Sequence, residues 1–176
     1  MIHGESEQMI LDAVGVDVRL ASLEFDGATA WWDRARQGPL EPLSAEVWVT
    51  DPTFEHVLLV RHRWRGWVPP GGKVEAGETP RGAAERELGE ETGLRAELLA
   101  VPAAVCVRSY RADWSMTLGL SYAAIVPMTM SLRGEVEQPP RWFALDGGWE
   151  SVFPEDRERI RTYVDLLADK RAVGAI

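Results

Sequence analysis

Six glutamates fall within the 17 residues from Glu75 to Glu91, more than twice the share that 28 acids in 176 residues would place there. Their spacing matters more than their number. At ~100° per residue a helix gathers Glu87, Glu90 and Glu91 into an arc of roughly 100°. Ala84 and Leu88 lie beside that arc and can bury the helix, and Arg86, four residues before Glu90, can orient its carboxylate. Carboxylates this close repel one another, and a divalent cation converts that repulsion into a binding site. Hard ions such as Mg²⁺ or Mn²⁺ take oxygen ligands, which clustered glutamates supply. Taken alone, the cluster also fits a solvated acidic face.

The flanking residues sharpen the choice. Gly71-Gly72 precedes the helix, Glu78 stands just before its expected cap, and Gly93-Leu94 follows its end. A glycine bend lets a main-chain carbonyl approach a metal closely. It is not a Walker-type phosphate loop, because Val74 follows Gly72-Lys73 where Ser or Thr is needed, and Trp67 stands where that loop needs glycine.

Gly72, five residues, Glu78, seven residues, then Arg86-Glu87-Leu88-Gly89-Glu90-Glu91-Thr92-Gly93-Leu94 resembles the Nudix box without departure. The surroundings are similar to that family over roughly residues 44–170. The resemblance implies an α/β/α sandwich around a mixed β-sheet, and Mg²⁺-dependent hydrolysis of a diphosphate linkage in a nucleoside diphosphate derivative. It further implies Glu87 and Glu91 as metal ligands and Glu90 as a ligand or the group that polarises the attacking water. By the same resemblance Arg86 holds the acids, Glu78 pairs with Arg86, Gly72 and Gly93 frame the helix, and the Gly71 carbonyl is a main-chain ligand. In such proteins a further acid often comes from a distant loop. Glu135 and Glu137 are the candidates here, with Glu137 preferred as general base because it lies nearer the next strand. A ligand sensor on the same fold, binding without turnover, is the alternative, and the intact set of acids argues against it. A diphosphate isomerase would want a catalytic cysteine, for which Cys106 has no supporting motif.

Arg61, His62, Arg63 and Arg65 precede the glycine bend, and Trp64 and Trp67 flank it. Arg61, Arg63, Trp67, Glu75 and Tyr110 are the candidate substrate contacts. A basic strand end in water and a packed aromatic rim are the plainer alternatives. Tyr110, 16 residues after Leu94, tilts the resemblance toward hydrolases of dinucleoside polyphosphates.

The elements that must position these residues are legible in outline. Thr79 is a good N-cap with Pro80 at the first helical position, and Gly93 suits the left-handed stop. Short Val- and Leu-rich runs at 45–50 and 56–62, longer ones at 97–110 and 116–128, and another at 141–145 read as strands. Ile160, Tyr163, Val164 and Leu167 mark a closing helix. Residues 1–43 read as a helical N-terminal extension and 44–176 as the main domain, with Gly38-Pro39 and Glu41-Pro42 punctuating the boundary and Trp31-Trp32 fastening the extension or mediating a homodimer.

Composition agrees. The net charge of −9 disfavours binding to duplex nucleic acid. No apolar run approaches the ~18 residues of a membrane span. The single cysteine excludes an intramolecular disulfide framework and suits the cytoplasm. An acidic chain can still handle polyphosphates when divalent cations stand between the two sets of charges.

Overall fold

The computed structural model describes residues 2–38, 42–110 and 113–174. Of the expected boundary, Pro39 and Glu41 lie outside these residues. The elements are α1 (Ile2–Leu20), β1 (Leu23–Glu24), α2 (Ala28–Ala35), β2 (Ser44–Thr50), β3 (His56–His62), β4 (Gly66–Val68), β5 (Gly71–Lys73), α3 (Pro80–Thr92), β6 (Ala104–Arg108), β7 (Thr117–Ile125), β8 (Pro140–Ala144) and α4 (Asp156–Ala172).

Alternation along β2 sets the layers. Ala45, Val47 and Val49 enter one core with Ala83, Ala84 and Leu88 of α3 and with Val14, Val18 and Trp32 of the first two helices. Trp48 points the other way, into a second core with Ile160, Tyr163, Val164 and Leu167 of α4. Helices therefore cover both faces of one sheet, whose order is β1-β6-β7-β2-β3-β4, with β5 on β2 and β8 on β3. The sheet is mixed: β2 runs parallel to β7 and antiparallel to β3 and β5. This is the expected α/β/α sandwich.

α1 and α2 pack into the first core through Val14, Val18, Ala28 and Trp32, and Leu23 and Phe25 pack against the second. β1 adds to β6 in parallel, Leu23 opposite Ala104. Trp32 is buried, and Trp31 packs against the same cluster. Tyr122 donates its hydroxyl to Asp17 at 2.5 Å, and Arg159 grips Asp26 through two bonds of 3.1 Å. A two-residue strand is too short to carry alternation, so only the helices of this segment were visible in the sequence.

The run at 97–110 is strand only from Ala104. Pro102 has no N–H for a ladder. Upstream of it, Leu94 and Leu98 drop into the core instead, and Leu99 donates one bond to the Ala123 carbonyl at 2.8 Å.

α3 forms as its caps dictate. Thr79 is extended (φ −81°, ψ 153°), and its hydroxyl accepts the Gly82 N–H at 3.1 Å. Gly93 at φ +72° turns its N–H back to the Gly89 carbonyl at 2.9 Å. Thr79→Ala should cost about 1 kcal/mol in denaturant unfolding, and Thr79→Ser should restore most of it. Equal loss in both variants would show that the hydroxyl cap is not what matters.

Candidate functional site

The glutamate helix α3 meets the glycine bend at β5. The Gly71 N–H donates to Glu91 Oε2 at 2.8 Å. A Cβ on Gly72 would collide with the Glu87 carboxylate, and one on Gly71 would stand 2.6 Å from the Glu46 Cβ. Only glycine lets strand and helix approach this closely.

Arg86 organises the acids. Its Nε and Nη2 donate to the two oxygens of Glu78 at 3.0 and 3.1 Å. Its Nη1 reaches Glu87 at 2.7 Å and Glu90 at 3.2 Å, and Nη2 also donates to the Lys73 carbonyl at 3.2 Å. These bonds, those to Glu78 first, raise the Arg86 pKa, and the same contact holds Glu78 below the usual carboxylate range. Glu78 in turn accepts the N–H of Glu75 at 3.1 Å. Glu75 is thereby placed as an exposed support of the box.

Glu91 is different. Burial pushes its pKa up to about 7, with Glu87 and Glu135 adding to the shift while the Gly71 N–H and Arg65 oppose it. Glu135 arrives because its loop packs on the end of α3. Arg133 donates to the Thr92 carbonyl at 2.7 Å, and a Cβ on Gly134 would stand 2.9 Å from the Glu91 carbonyl. Gln138 then closes a tight turn on the Glu135 carbonyl at 3.0 Å, and Glu135, Val136 and Glu137 are all exposed there.

Among the described residues no three His, Cys, Asp or Glu side chains already form a cation cage. Arg86 holds Glu87 and Glu90 instead, and the Glu90 side chain is 61% exposed. The donor chemistry nevertheless fits a hard divalent ion. Glu87, Glu91 and Glu135 supply oxygens only, and among the described residues no cation lies within ion-pair distance of the half-buried Glu91 carboxylate.

A cleft of about 890 Å³ opens beside β5. Trp64, Trp114, Tyr110 and Phe153 give it aromatic walls, and Glu46, Arg65 and Lys73 are among its polar groups. Of the sequence candidates, Gly71, Gly72 and Tyr110 line this cleft. Arg61 and Arg63 are exposed outside it, Arg63 lying 4.9 Å over the Trp64 ring. Trp67 packs edge-on against Phe143 at 4.7 Å, in the second core. Arg65 and His62, from the same basic run, do reach the cleft. Burial, with Arg65 adding, lowers the His62 pKa to about 4, so its imidazole is neutral at pH 7. Burial also lowers the Arg65 pKa, against the opposing pull of Glu91, Tyr110, Glu46 and Glu87.

Glu46 was missed in the sequence. Its only signal was a lone acid between Ala45 and Val47 in an otherwise apolar strand. Beneath the cleft lies a buried pair, Arg108 Nη2 to Asp156 Oδ1 at 2.7 Å, with the guanidinium 4.5 Å over Phe153. Among the described residues no helix is long and apolar enough to cross a membrane.

Comparison with known proteins agrees with this architecture. The family model for the NUDIX domain matches residues 41–164. The chain is 28% identical over 153 residues to the 8-oxo-(d)GTP phosphatase of Mycolicibacterium smegmatis, a match covering 84% of this chain and 43% of that protein. It is 51% identical over 43 residues to the uncharacterized Nudix hydrolase YvcI of Bacillus subtilis, covering 24% and 27% respectively. The chain thus spans less than half the length of these relatives. Among solved structures, a NUDIX-family hydrolase from Clostridium perfringens superposes with a TM-score of 0.58 at 18% identity, over 71% of this chain and 97% of that one. The Caenorhabditis elegans Ap4A hydrolase in a binary complex gives 0.56 at 17% identity, over 73% and 99%. The fold is therefore shared well beyond the box, and the domain match takes in every strand from β2 to β8 and all of α3, so the chain belongs to the Nudix family.

Proposed function

We propose that this chain hydrolyses the diphosphate linkage of a nucleoside diphosphate derivative with a divalent cation, Mg²⁺ or Mn²⁺. The observation that carries this reading is the joint of α3 and the glycine bend: the half-buried Glu91 carboxylate accepts the Gly71 N–H, and Gly71 lines a cleft large enough for a nucleoside. The named relatives support it in kind, since one is an 8-oxo-(d)GTP phosphatase and one structural neighbour is an Ap4A hydrolase.

Glu87, Glu91 and the Gly71 carbonyl would hold the ion, and Glu90 would join them on leaving Arg86. A divalent ion bound there supplies charge neutralisation for diphosphate oxygens and lowers the pKa of a coordinated water. Arg86 fixes the rotamer of Glu87, so the carboxylate is oriented before substrate arrives. Arg65, among the acids and within the cleft, offers its guanidinium to a phosphate oxygen. Glu135 is the group from outside the helix that can accept a proton at its carboxylate from the attacking water. Glu137, at the tip of the turn, is solvated.

Two outcomes test this. Millimolar Mg²⁺ or Mn²⁺ should raise the thermal midpoint over an EDTA control, since a ligand of the folded state adds about 2.7 kcal/mol at a hundredfold excess over Kd. An unchanged midpoint would remove the metal site. Screened with nucleotide diphosphate derivatives, the chain should release phosphates, and Glu135→Gln should lower kcat about tenfold or more with KM little changed. Glu137→Gln should behave as the parent. The reverse ranking would make Glu137 the base, and saturable binding without release would make the protein a sensor.

A further inference from the structure

The alternation of β2 puts Ser44, Glu46 and Trp48 on the face opposite α3, and the register of β7 sets Ser121 beside Glu46. Glu46 Oε1 accepts two hydrogen bonds, from Trp48 Nε1 at 2.7 Å and from Ser121 Oγ at 2.8 Å. Both donors are neutral, and both land on one oxygen. They lock the carboxylate without using its second oxygen. Among the described residues nothing donates to Oε2, and no Lys, Arg or His nitrogen lies within ion-pair distance of either oxygen. Glu46 lines the cleft, so its remaining lone pairs are available to whatever occupies it.

One cleft joins the box to this carboxylate. Gly71 and Gly72 of the glycine bend line it together with Arg65 and Glu46. A diphosphate placed at the acids of α3 therefore carries its organic group into the cleft that Glu46 lines. Trp64, 74% exposed, lines the same cleft and brings an aromatic ring to it.

We propose that Glu46 determines base specificity, its Oε2 accepting the N1–H and the N2 amino group of a guanine nucleotide. The inference rests on the reading of this cleft as the nucleoside end of a diphosphate hydrolase site. Guanine presents two adjacent N–H donors to a single acceptor. Uracil presents one N–H between two carbonyl oxygens, and a carboxylate repels both. Adenine and cytosine offer an amino group beside a ring nitrogen whose lone pair also faces the acceptor. A fixed carboxylate therefore ranks guanine first and uracil last, because a polar group desolvated without a partner costs more than a good hydrogen bond returns.

The test uses the full chain and two separate readouts. GMP, AMP, CMP and UMP are titrated in EDTA, with tryptophan fluorescence as the signal. GMP should bind about tenfold or more tighter than UMP. Glu46→Gln keeps a carbonyl for Trp48 and Ser121 but turns an NH₂ toward the cleft, so the gap between GMP and UMP should close or invert. Glu46→Asp keeps the charge but withdraws it by one methylene, and it should also narrow the gap, which covers the case in which the glutamine variant does not fold. The second readout is phosphate release from GTP and UTP with Mn²⁺, where the ratio of kcat/KM should follow the same order. Absence of GMP binding, no base preference in the parent, or an unchanged preference in the variants overturns the role of Glu46. Base-selective binding without phosphate release instead overturns the hydrolase reading and leaves Glu46 standing. Phosphate release without base preference does the converse.

Discussion

Glu91→Gln should lower turnover at least ~10²-fold, a loss of about 2.7 kcal/mol of transition-state stabilisation. The glutamine keeps the shape and an oxygen for the Gly71 N–H, so what is lost is a charged ligand facing Glu87. The same substitution should not destabilise the metal-free protein. Burial has raised the folded-state pKa of Glu91 from the ordinary 4.5 to about 7, so the protonated form favours the fold. That contribution is complete below about pH 4.5 and is lost as the pH rises through 7. In EDTA, the parent should lose stability relative to Glu91→Gln between these limits, and above neutrality the offset should stay constant in favour of the variant. Cation should reverse the order, because it binds the charged form and the variant lacks one ligand. Near-normal turnover by Glu91→Gln, or parallel pH curves in EDTA, would remove Glu91 from the centre of the site.

The helix and its glycine bend were legible because local rules decide them. Thr79, Pro80 and Gly93 act within one turn of their own positions, and the arc of Glu87, Glu90 and Glu91 follows from helix geometry alone. The cleft was far less legible, because the register of distant strands builds it. Glu46 meets Ser121 only through the parallel pairing of β2 with β7, and Arg108 meets Asp156 across 48 residues. In the basic run, the end of β3 and the turn of residues 63–65 that follows it decide which side chains reach the cleft and which stay in water. His62 and Arg65 reach it, Arg61 and Arg63 do not, and Trp67 turns into the core against Phe143. The acidic loop shows the same limit. Nearness to the next strand favoured Glu137 over Glu135, whereas the packing of Arg133 and Gly134 on the end of α3, which no local pattern announces, brings Glu135 within electrostatic reach of Glu91.

Asp156→Ala should be among the most destabilising single substitutions in the protein, costing about 3–5 kcal/mol. Its carboxylate is the close partner of Arg108, whose side chain is only 9% exposed, and the next acid, Glu155, stands 3.9 Å away. Removing Asp156 leaves a guanidinium buried among Cys106, Tyr110 and Phe153 with little to offset its desolvation. The thermal midpoint should fall by roughly 6–20 °C, at about 2–4 °C per kcal/mol for a domain of this size. Asp156→Asn keeps an acceptor and should cost less. The decisive measurement is the double variant Arg108→Met with Asp156→Leu. A well-packed apolar pair removes both charges at once, so it should recover much of the loss and give a large coupling energy in a double-mutant cycle. Recovery of the fold with altered nucleotide binding would show that the pair shapes the cleft wall through Tyr110 and Phe153. Simple additivity of the two single losses would mean that each residue is held by other neighbours and that the ion pair contributes nothing of its own.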